Sequence, residues 1–322
     1  MKIIATTGNE EVATVYILEL ENGKLVECVE SIQPPRTRQE KWVLLVSTMF
    51  GCPVNCKMCD AGGHFEGNLT AEQILAQIDF LVYKRFPDGH IPSDEFKIQF
   101  ARMGEPALNF AVLETLSQLA SRYQAAGLLP SLSTIAPAGR DKFFDQLANI
   151  KNQHYSHGRF QFQFSIHTTD PNLRNEIIPV KKWDFTQIAE YGERFYRPGD
   201  KKITLNFALA RGMPVDPVVL RRYFDPDKFL IKITPLNPTY RAVESNLESY
   251  IDRRKNQTDY PIVNQLSAAG YQVIVSIGES EENLIGSNCG QYVRRHLNAD
   301  NQIQEGYTYA IRECREDQAL RV

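Results

Sequence analysis

The start of the chain alternates hydrophobic and polar residues over short runs, as half-buried β-strands do. Residues 12–20 and 25–32 are two such runs, and both are rich in β-branched side chains. Asn22–Gly23 between them is a favourable hairpin turn, and Pro34–Pro35 interrupts the pattern after the second run. The sequence therefore predicts a small β unit over residues 1–40.

From Trp42 onward, apolar runs of strand length alternate with stretches that have helical periodicity. A longer helix is predicted to reach residue 269, followed by a last strand at 271–277 and a short helix near Cys289. This alternation predicts a parallel α/β sheet, closed or partly closed into a barrel. The six predicted strands that precede the long helix lie at 43–47, 96–103, 131–135, 160–167, 202–210 and 229–235.

The helix that follows the first of these strands has a clear start. Thr70 is a suitable N-cap, and Gln73, three residues later, is the partner that a capping box requires. A helix over residues 70–85 is therefore predicted. With the small β unit at 1–40, the pattern places the barrel at 41–300 and leaves a mixed, charged tail at 301–322.

The composition is that of a soluble globular protein of 322 residues, with 43% hydrophobic and 23% charged residues. The formal net charge of −3 argues against a large sequence-independent contact with nucleic-acid phosphates. Basic doublets such as Lys181–Lys182 and Arg221–Arg222 are expected on charged helix surfaces, although they could also line a groove. The sequence shows no signal peptide and no run of 18 apolar residues. We therefore expect a cytoplasmic protein without a membrane span.

Three of the six cysteines stand close together in the sequence GCPVNCKMCD, directly after the first core strand. Cys52, Cys56 and Cys59 have the spacing CxxxCxxC. Four thiolates normally saturate a cubane iron–sulfur cluster, so three leave one iron open. The amino and carboxylate groups of S-adenosylmethionine can chelate such an iron, and an electron from the cluster can then cleave the sulfonium carbon–sulfur bond. A structural zinc site with His64 as fourth ligand is the alternative, although such sites generally take their cysteines in pairs.

Polar residues follow the other predicted strands where these strands end. Met103–Pro106 carries Glu105, whose carboxylate can accept hydrogen bonds from an ammonium group. Ser131–Thr134, Ser165–His167 and Pro235–Pro238 come at the ends of later strands. Because the C-terminal strand ends of a βα barrel build its active site, these residues are expected to surround one site. Each of them alone is equally compatible with an ordinary strand-end cap.

Seven short motifs occur in a consistent order between residue 42 and about residue 296: VSTMFGCPVNCKMCDAG, MGEPALN, STIAP, FSIHTTD, LRNEIIPV, PLNP and NCGQY. Together they resemble the RlmN/Cfr family of radical-SAM enzymes, whose members place a methyl group on carbon 2 or carbon 8 of an adenosine in RNA. The resemblance implies a partial (β/α)6 radical-SAM barrel, preceded here by a small N-terminal β extension. It also implies a 4Fe–4S cluster, S-adenosylmethionine, an electron donor such as flavodoxin or ferredoxin, and RNA as the candidate acceptor.

Site residues are carried over from the same resemblance. It implies that the cluster is held by Cys52, Cys56 and Cys59, and that S-adenosylmethionine is contacted by Gly104, Glu105, Ser133, Ser165, His167 and Asn237. It further implies that Cys289, in the run Asn-Cys-Gly-Gln, is the cysteine that such enzymes methylate and then use as methyl donor. The alternative for Cys289 is a buried structural cysteine.

The chemistry expected of Cys289 has two stages. Its thiolate would accept a methyl group from one S-adenosylmethionine by displacement, and a short helix that begins near it would favour the thiolate. A second S-adenosylmethionine would supply a radical that takes hydrogen from the S-methyl group. The resulting carbon radical would add to an electron-poor aromatic carbon of the acceptor.

Two features depart from the family pattern. Family methylases carry a further cysteine seven residues before the first cluster cysteine, where it helps to release the product. This chain has Leu45 there, with Cys28 and Cys314 as the only remaining thiols. The N-terminal unit is also smaller than the helical accessory domain of the family, and the stretch 278–282 is acidic.

The sequence leaves three hypotheses for the function. The first is an enzyme that uses Cys289 as methyl carrier and acts on RNA or a smaller substrate. The second is a radical enzyme that abstracts hydrogen directly from a non-RNA substrate, and the third is a non-catalytic iron–sulfur or zinc protein.

Overall fold

One large β-sheet organises the fold. The computed structural model describes residues 1–21, 23–252, 260–288, 291–293, 303 and 306–314. Its strands are β1 Lys2–Gly8, β2 Ala13–Glu21, β3 Lys24–Ser31, β4 Lys41–Val46, β5 Met49–Gly51, β6 Phe65–Asn68, β7 Glu95–Phe100, β8 Leu128–Thr134, β9 Gln161–Ser165, β10 Ile203–Leu209, β11 Phe229–Pro235, β12 Val273–Val275 and β13 Arg312–Glu313. Eleven of them form one sheet in the order β12-β11-β10-β9-β8-β7-β4-β3-β2-β1-β13, and β5 pairs with β6 in a separate ribbon.

Helices connect the strands and pack against the sheet. In chain order they are α1 Ala71–Arg85, α2 Ala111–Arg122, α3 Asp141–His154, α4 Pro171–Ile177, α5 Phe185–Phe195, α6 Pro217–Tyr223, α7 Tyr240–Glu244, α8 Pro261–Ala268 and α9 Ser280–Ile285, with a short 3-10 turn at Pro106–Leu108. The capping box predicted for α1 is confirmed, because Thr70 and Gln73 each accept a hydrogen bond from the other's backbone N–H group. No helix in the described ranges is long and apolar enough to cross a membrane.

The parallel part of the sheet begins at β4 and continues through β7, β8, β9, β10, β11 and β12, each strand beside its predecessor. Parallel neighbours joined through helices form the wall of a βα barrel. Among the described strands, the sheet ends at β12 on one side and at β13 on the other, so this wall stays open. The predicted α/β fold class is confirmed, and β12 lies where the sequence predicts a last short strand.

The N-terminal strands extend the same sheet in antiparallel fashion. β3 pairs with β4, with Val29 opposite Leu45, and β2 and β1 follow outward. At the outer edge β13 adds to β1, with Ala5 opposite Glu313. The β extension therefore brings its side chains next to the first strand of the barrel wall.

The alternation along β7 separates the core from the inner face of the sheet. Phe96, Ile98 and Phe100 are fully buried in the main hydrophobic core, together with side chains of the helices. Lys97 and Gln99 alternate with them, so they point to the opposite face of the sheet, where they line a cavity. A sequence pattern of period two thus places apolar residues under the helices and polar residues inside the barrel wall.

The prediction of one long helix that reaches residue 269 is wrong. α7 ends at Glu244, and Asn246 has a left-handed backbone with φ of 53°, which an α-helix does not accommodate. Ser249 then forms an isolated bridge with Ala210, and α8 begins only at Pro261. Residues 253–259 lie outside the described residues.

A short helix that the sequence did not predict, α9, precedes Cys289. It starts with a capping box between Glu279 and Glu282 and ends at Gly286, which has a left-handed φ of 74°. The helix predicted near Cys289 itself falls mainly on residues outside the described ranges, and so does Cys289. The acidic stretch of the sequence is therefore the start of a capped helix.

Candidate active site

The loop of the three cysteines is held by the ribbon of β5 and β6. Gly51 ends β5 with φ of +77°, and a Cβ there would lie 1.7 Å from the carbonyl oxygen of His64, so no other residue fits. Cys52 follows, and its backbone N–H donates to that same carbonyl oxygen at 3.0 Å. The ribbon thus fixes the position of the first cysteine.

The sulfur of Cys52 lies among backbone donors. Burial raises the pKa of the Cys52 thiol to about 11, against the opposing effect of hydrogen bonds from the N–H groups of Val54, Asn55 and Glu105. Three N–H groups around one sulfur stabilise a thiolate, and such bonds also tune iron–sulfur ligands. This cradle suits a thiolate whose charge a metal centre compensates.

The other two cysteines share this environment. Burial, followed by the nearby Cys59 and Cys52, raises the pKa of the Cys56 thiol well above its usual value. The effect of Cys59 and Cys52 on Cys56 indicates that these thiols lie near it. Thiols that resist ionisation together need a cation to become thiolates at neutral pH.

The donor set fits a cubane cluster better than a single zinc ion. Among the described side chains, no group of three or more His, Cys, Asp or Glu residues is arranged to hold a metal ion, and this holds for the three cysteines as well. His64, the fourth ligand of the zinc alternative, is exposed on the loop before β6. A cubane is wider than one ion, and three thiols from one loop with one iron left open are the ligands it requires here.

Apolar side chains surround the cysteine loop. Ile135, Ile177 and Ile178 are buried against it, together with Val54. The backbone N–H of Lys57, inside the loop, donates to the carbonyl oxygen of Ile177 at 2.9 Å, so α4 is tied to the loop. This packing covers one side of the loop, where Cys52 is buried and Cys56 and Cys59 are half-buried.

Asp60, the residue after the third cysteine, joins the loop to the far side of the barrel wall. Its buried carboxylate accepts hydrogen bonds from the backbone N–H groups of Tyr240 at 3.2 Å and Arg241 at 2.9 Å, at the start of α7. The Tyr307 hydroxyl donates to it at 3.1 Å. The Arg241 guanidinium in turn donates to the carbonyl oxygen of Cys56 at 3.1 Å. Sequence reasoning missed Asp60, although its place beside Cys59 was a usable signal.

Gly104 and Glu105 bring the loop after β7 against the cysteine ribbon. Gly104 has φ of +101°, and a Cβ there would lie 2.6 Å from the Met49 side chain, so glycine is required. The Glu105 carboxylate accepts hydrogen bonds from the Thr134 hydroxyl and, at 3.0 Å, from the Ile135 backbone. Burial raises the pKa of Glu105 to about 7. Glu105 therefore ties together the loops after β7 and β8. Its contact with the S-adenosylmethionine ammonium stays a prediction.

His167 is held as a neutral imidazole at the end of β9. Its Nδ1 accepts a hydrogen bond from the backbone N–H of Ala208 at 3.1 Å. Burial and then the charge of Arg174 lower the pKa of His167 to about 4. A neutral ring that accepts at Nδ1 carries its proton on Nε2, which can donate to a ligand.

The remaining predicted contacts also lie at the C-terminal strand ends. Ser133 near the end of β8 accepts a hydrogen bond from the Gln163 side chain at 3.1 Å. Ser165 ends β9 opposite Asn206, and Asn237 follows β11. The parallel pairing of these strands brings the residues to one end of the wall.

A polar cavity of about 240 Å³ lies on the inner face of the sheet. Ser133 and Asn237 line it, and so do Leu45, Ser287 and Asn288. Two of the six expected S-adenosylmethionine contacts thus share a cavity with residues that precede Cys289. The other four, Gly104, Glu105, Ser165 and His167, do not line it, and neither do the three cluster cysteines. Lining residues from the β extension and the barrel wall are Ser31, Gln33, Lys97, Gln99, Ser131, Gln161, Gln163, Asn206, Lys232 and Thr234.

Two buried charges hold the segment that contains Cys289. Arg102 donates to the carbonyl oxygens of Gly286 and Ser287, both at 3.1 Å. Glu27 accepts from the backbone N–H of Val293 at 2.8 Å. Arg102 also donates to Glu27 at 3.1 Å, within a pair that is fully buried. Sequence reasoning missed both residues, since no local pattern marks them.

The two further thiols of the chain stand apart from this cavity. Cys28 is buried in the main core, where burial strongly raises the pKa of its thiol. Cys314 lies beside β13, and its backbone N–H donates to Ile4 at the outer edge of the sheet. Neither residue lines the cavity at Leu45.

Comparison with known proteins agrees with this fold. No family model matches the chain. Two dual-specificity RNA methyltransferases RlmN, from Marinobacter nauticus and from Marinomonas sp., are each 26% identical to it, over 87% and 90% of this chain and 72% and 74% of their own lengths. A solved radical SAM methyltransferase from Sphaerobacter thermophilus has a TM-score of 0.67 and 20% identity, and the match covers 90% of this chain and 80% of that one. The chain is therefore a homologue of the RlmN RNA methyltransferases and has the α/β fold of a radical SAM methyltransferase.

Proposed function

We propose that this protein is a radical-SAM enzyme that binds a 4Fe–4S cluster at Cys52, Cys56 and Cys59 and passes a methyl-derived carbon through Cys289 to an acceptor. Its homologues are named as RNA methyltransferases, which supports an enzyme that transfers a one-carbon group. When bound, the cluster would supply the electron that cleaves S-adenosylmethionine.

The shared cavity is the observation that carries the proposal. Ser133 and Asn237, two expected contacts of S-adenosylmethionine, line it together with Ser287 and Asn288, which precede Cys289. A methyl donor and a thiolate react only when they are held close together in the correct orientation. A cavity common to both sets of residues supports such an arrangement.

The transfer to Cys289 balances without any further reagent. The thiolate lone pair forms the new sulfur–carbon bond while the sulfonium carbon–sulfur bond breaks, and S-adenosylhomocysteine leaves. Arg102 and Glu27 support this step by fixing the backbone on either side of Cys289. The Nε2–H of neutral His167 is available to hold S-adenosylmethionine by one of its oxygen atoms.

The radical stage of the reaction needs an electron donor and an acceptor molecule. We propose an electron donor such as flavodoxin or ferredoxin. We propose as acceptor an adenosine of RNA, as the names of the homologues suggest, or a smaller substrate. The buried isoleucines around the cysteine loop support radical chemistry, because they exclude water from the reacting atoms.

A second function is favoured by Leu45. This residue is half-buried and lines the cavity where family methylases carry a product-releasing cysteine, and neither Cys28 nor Cys314 lines that cavity. A radical-SAM enzyme that abstracts hydrogen directly from its substrate needs no such thiol. It would keep the cluster loop and dispense with methylation of Cys289.

Mass spectrometry of the peptide that contains Cys289 tests the proposal. The full chain is reconstituted anaerobically and incubated with methyl-deuterated S-adenosylmethionine. We expect a deuterated methyl group on Cys289 and none on Cys314 in the same digest. Unmodified Cys289, in protein that still forms 5′-deoxyadenosine under reduction, would favour direct hydrogen abstraction. Protein with an intact cluster that forms neither product would contradict both functions.

A further inference from the structure

The inner face of the barrel wall carries polar side chains around an open cavity, whereas the interior of such a barrel is usually packed with apolar side chains. Barrel interiors are commonly packed by layers of Val, Ile and Leu. Here the side chains that point inward from β7 to β11 are amides, hydroxyls and ammonium groups, and the cavity stays open between them. These inward-pointing side chains include Lys97, Gln99, Ser131, Gln161, Asn206 and Lys232. Open polar space inside a barrel calls for a polar ligand.

Lys97 brings a buried positive charge to this space. Its side chain is 7% exposed, and no described carboxylate lies within ion-pair distance of its ammonium group. Glu95, the acidic residue on the same strand, forms an ion pair with Lys41 at 2.8 Å. Burial, and then the charges of Lys232 and Lys41, lower the pKa of Lys97 to about 7. The charged residues that line the cavity are Lys97, Lys232 and Glu282, so two ammonium groups face one carboxylate and the net positive charge attracts an anion.

Asn206 adds an independent sign of a ligand. Its side chain is 8% exposed and lines the cavity, and its Oδ1 has no hydrogen-bond partner. Buried side-chain acceptors are almost always satisfied, by protein or by what the site binds. Asn206 therefore lacks a donor that a bound molecule would bring.

The cavity volume restricts what enters. About 240 Å³ lies below the roughly 300–1,000 Å³ of pockets that hold drug-sized ligands. A compact polar group fits this space, and a folded stretch of RNA does not. The ligand group is thus small, carries an N–H or O–H donor and bears anionic oxygen atoms.

We propose that the inner face binds the anionic end of a small acceptor, with its carboxylate or phosphate at Lys97 and Lys232 and one of its donors at Asn206. That the bound molecule is the acceptor rests on the proposed function, since the reaction would take place in the same cavity, at the C-terminal ends of the strands. Binding of the anion itself depends on neither the cluster nor Cys289.

Calorimetric titration with simple anions tests the site. Inorganic phosphate and acetate are titrated separately into the full reconstituted chain, so the two anionic groups are told apart by their affinities. We expect at least one of them to bind, and Lys97→Met to weaken that binding about tenfold or more. Lys142→Met, which removes an exposed charge from α3, is the matched control and should bind as the unaltered protein does.

Folding and S-adenosylmethionine binding are measured on the same variants. Lys97→Met should unfold at a temperature no lower than the unaltered protein, because it removes an unpaired buried charge, so weak binding would not reflect unfolding. Absence of heat with both anions at millimolar concentration would overturn the proposal. So would equal affinities in Lys97→Met and the unaltered protein, or an effect of Lys97→Met on S-adenosylmethionine affinity alone.

Two outcomes distinguish failure of the anion site from failure of the proposed function. Cys289→Ala is expected to bind the anion normally, so a failure of methyl transfer in that variant leaves the anion site standing. Conversely, a methylated Cys289 in a protein that binds neither anion would support the proposed function and overturn this inference.

Discussion

Glu27 and Arg102 form an ion pair in which both side chains are fully buried, and each also holds the backbone on one side of Cys289. Burying two charges costs nearly as much free energy as their attraction returns, so such a pair contributes little net stability. Its geometry is specific, however, because Arg102 reaches the carbonyl oxygens before Cys289 and Glu27 reaches the N–H of Val293 after it. We infer that the pair fixes the backbone at Gly286, Ser287 and Val293, on the two sides of position 289.

Glu27→Gln tests this role. The change keeps the size of the side chain but leaves Arg102 charged and uncompensated in the core, which is expected to cost about 3 kcal/mol or more of unfolding free energy. Methylation of Cys289 should fall, while the iron content after reconstitution stays unchanged. Urea unfolding and the mass of the Cys289 peptide measure the two effects.

The matched control is Asp145→Asn, which breaks an ion pair with Arg194 whose side chains are 65% and 58% exposed. An exposed pair contributes less than about 1 kcal/mol, so this variant should behave as the unaltered protein does. If Glu27→Gln lowers stability but leaves methylation of Cys289 complete, the pair stabilises the fold without positioning the loop.

Asp60→Asn tests the connection between the cysteine loop and α7. The amide keeps one acceptor, but its NH₂ group would face the N–H of either Tyr240 or Arg241, so one buried donor loses its partner. We expect a loss of about 1–3 kcal/mol in unfolding free energy. We also expect less iron bound per chain after reconstitution, measured by iron analysis and visible absorbance.

Glu176→Gln is the control for that experiment, since it removes an exposed ion pair with Lys57 on the same loop. Its iron content should match that of the unaltered protein. Equal iron content in Asp60→Asn would show that the ribbon of β5 and β6 alone holds the cysteines in place.

Local patterns predicted the parts of this structure that depend on nearby residues. The capping box of Thr70 and Gln73 and the cysteine triplet are contained within a few positions of sequence. The long helix before residue 269 was wrong because helical periodicity does not reveal that Asn246 takes a left-handed conformation. Asp60 and Arg241 are 181 positions apart, and their contact is decided by the packing of distant loops. The same holds for Glu27 and Arg102, which no sequence pattern joins.

His167 makes stability depend on pH in a definite direction. Its pKa is lowered from 6.5 to about 4, so between these values the unfolded chain binds more protons than the folded protein does. The contribution of His167 to the free energy of unfolding is therefore fully present above pH 6.5 and is lost as the pH falls towards 4. At ~1.36 kcal/mol per pH unit the loss amounts to about 3 kcal/mol.

His167→Gln should remove this part of the pH dependence, which chemical unfolding at a series of pH values would reveal. His90→Gln, at an exposed position, serves as control and should retain the slope of the unaltered protein. An identical slope in His167→Gln would mean that the imidazole is not held neutral in the folded protein.

Leu45→Cys tests whether Cys289 reaches the cavity. Leu45 lines the cavity together with Ser287 and Asn288, which directly precede Cys289, so we expect a thiol at position 45 to react with that of Cys289. Mild oxidation is then expected to link the two, which mass spectrometry of the digest detects as a joined peptide. A disulfide requires Cα atoms about 4.4–6.8 Å apart, so the link would demonstrate close approach.

Two further thiols serve as internal controls in that experiment. Cys28 is buried in the core and Cys314 lies at the outer edge of the sheet, so neither should form the bond. The double variant with Cys289→Ala should give no joined peptide. If position 45 and Cys289 stay unlinked while both react with a small thiol reagent, Cys289 does not reach the cavity wall at Leu45. A methyl carried by Cys289 would then be unable to meet an acceptor there, and direct hydrogen abstraction would become the better account of this enzyme.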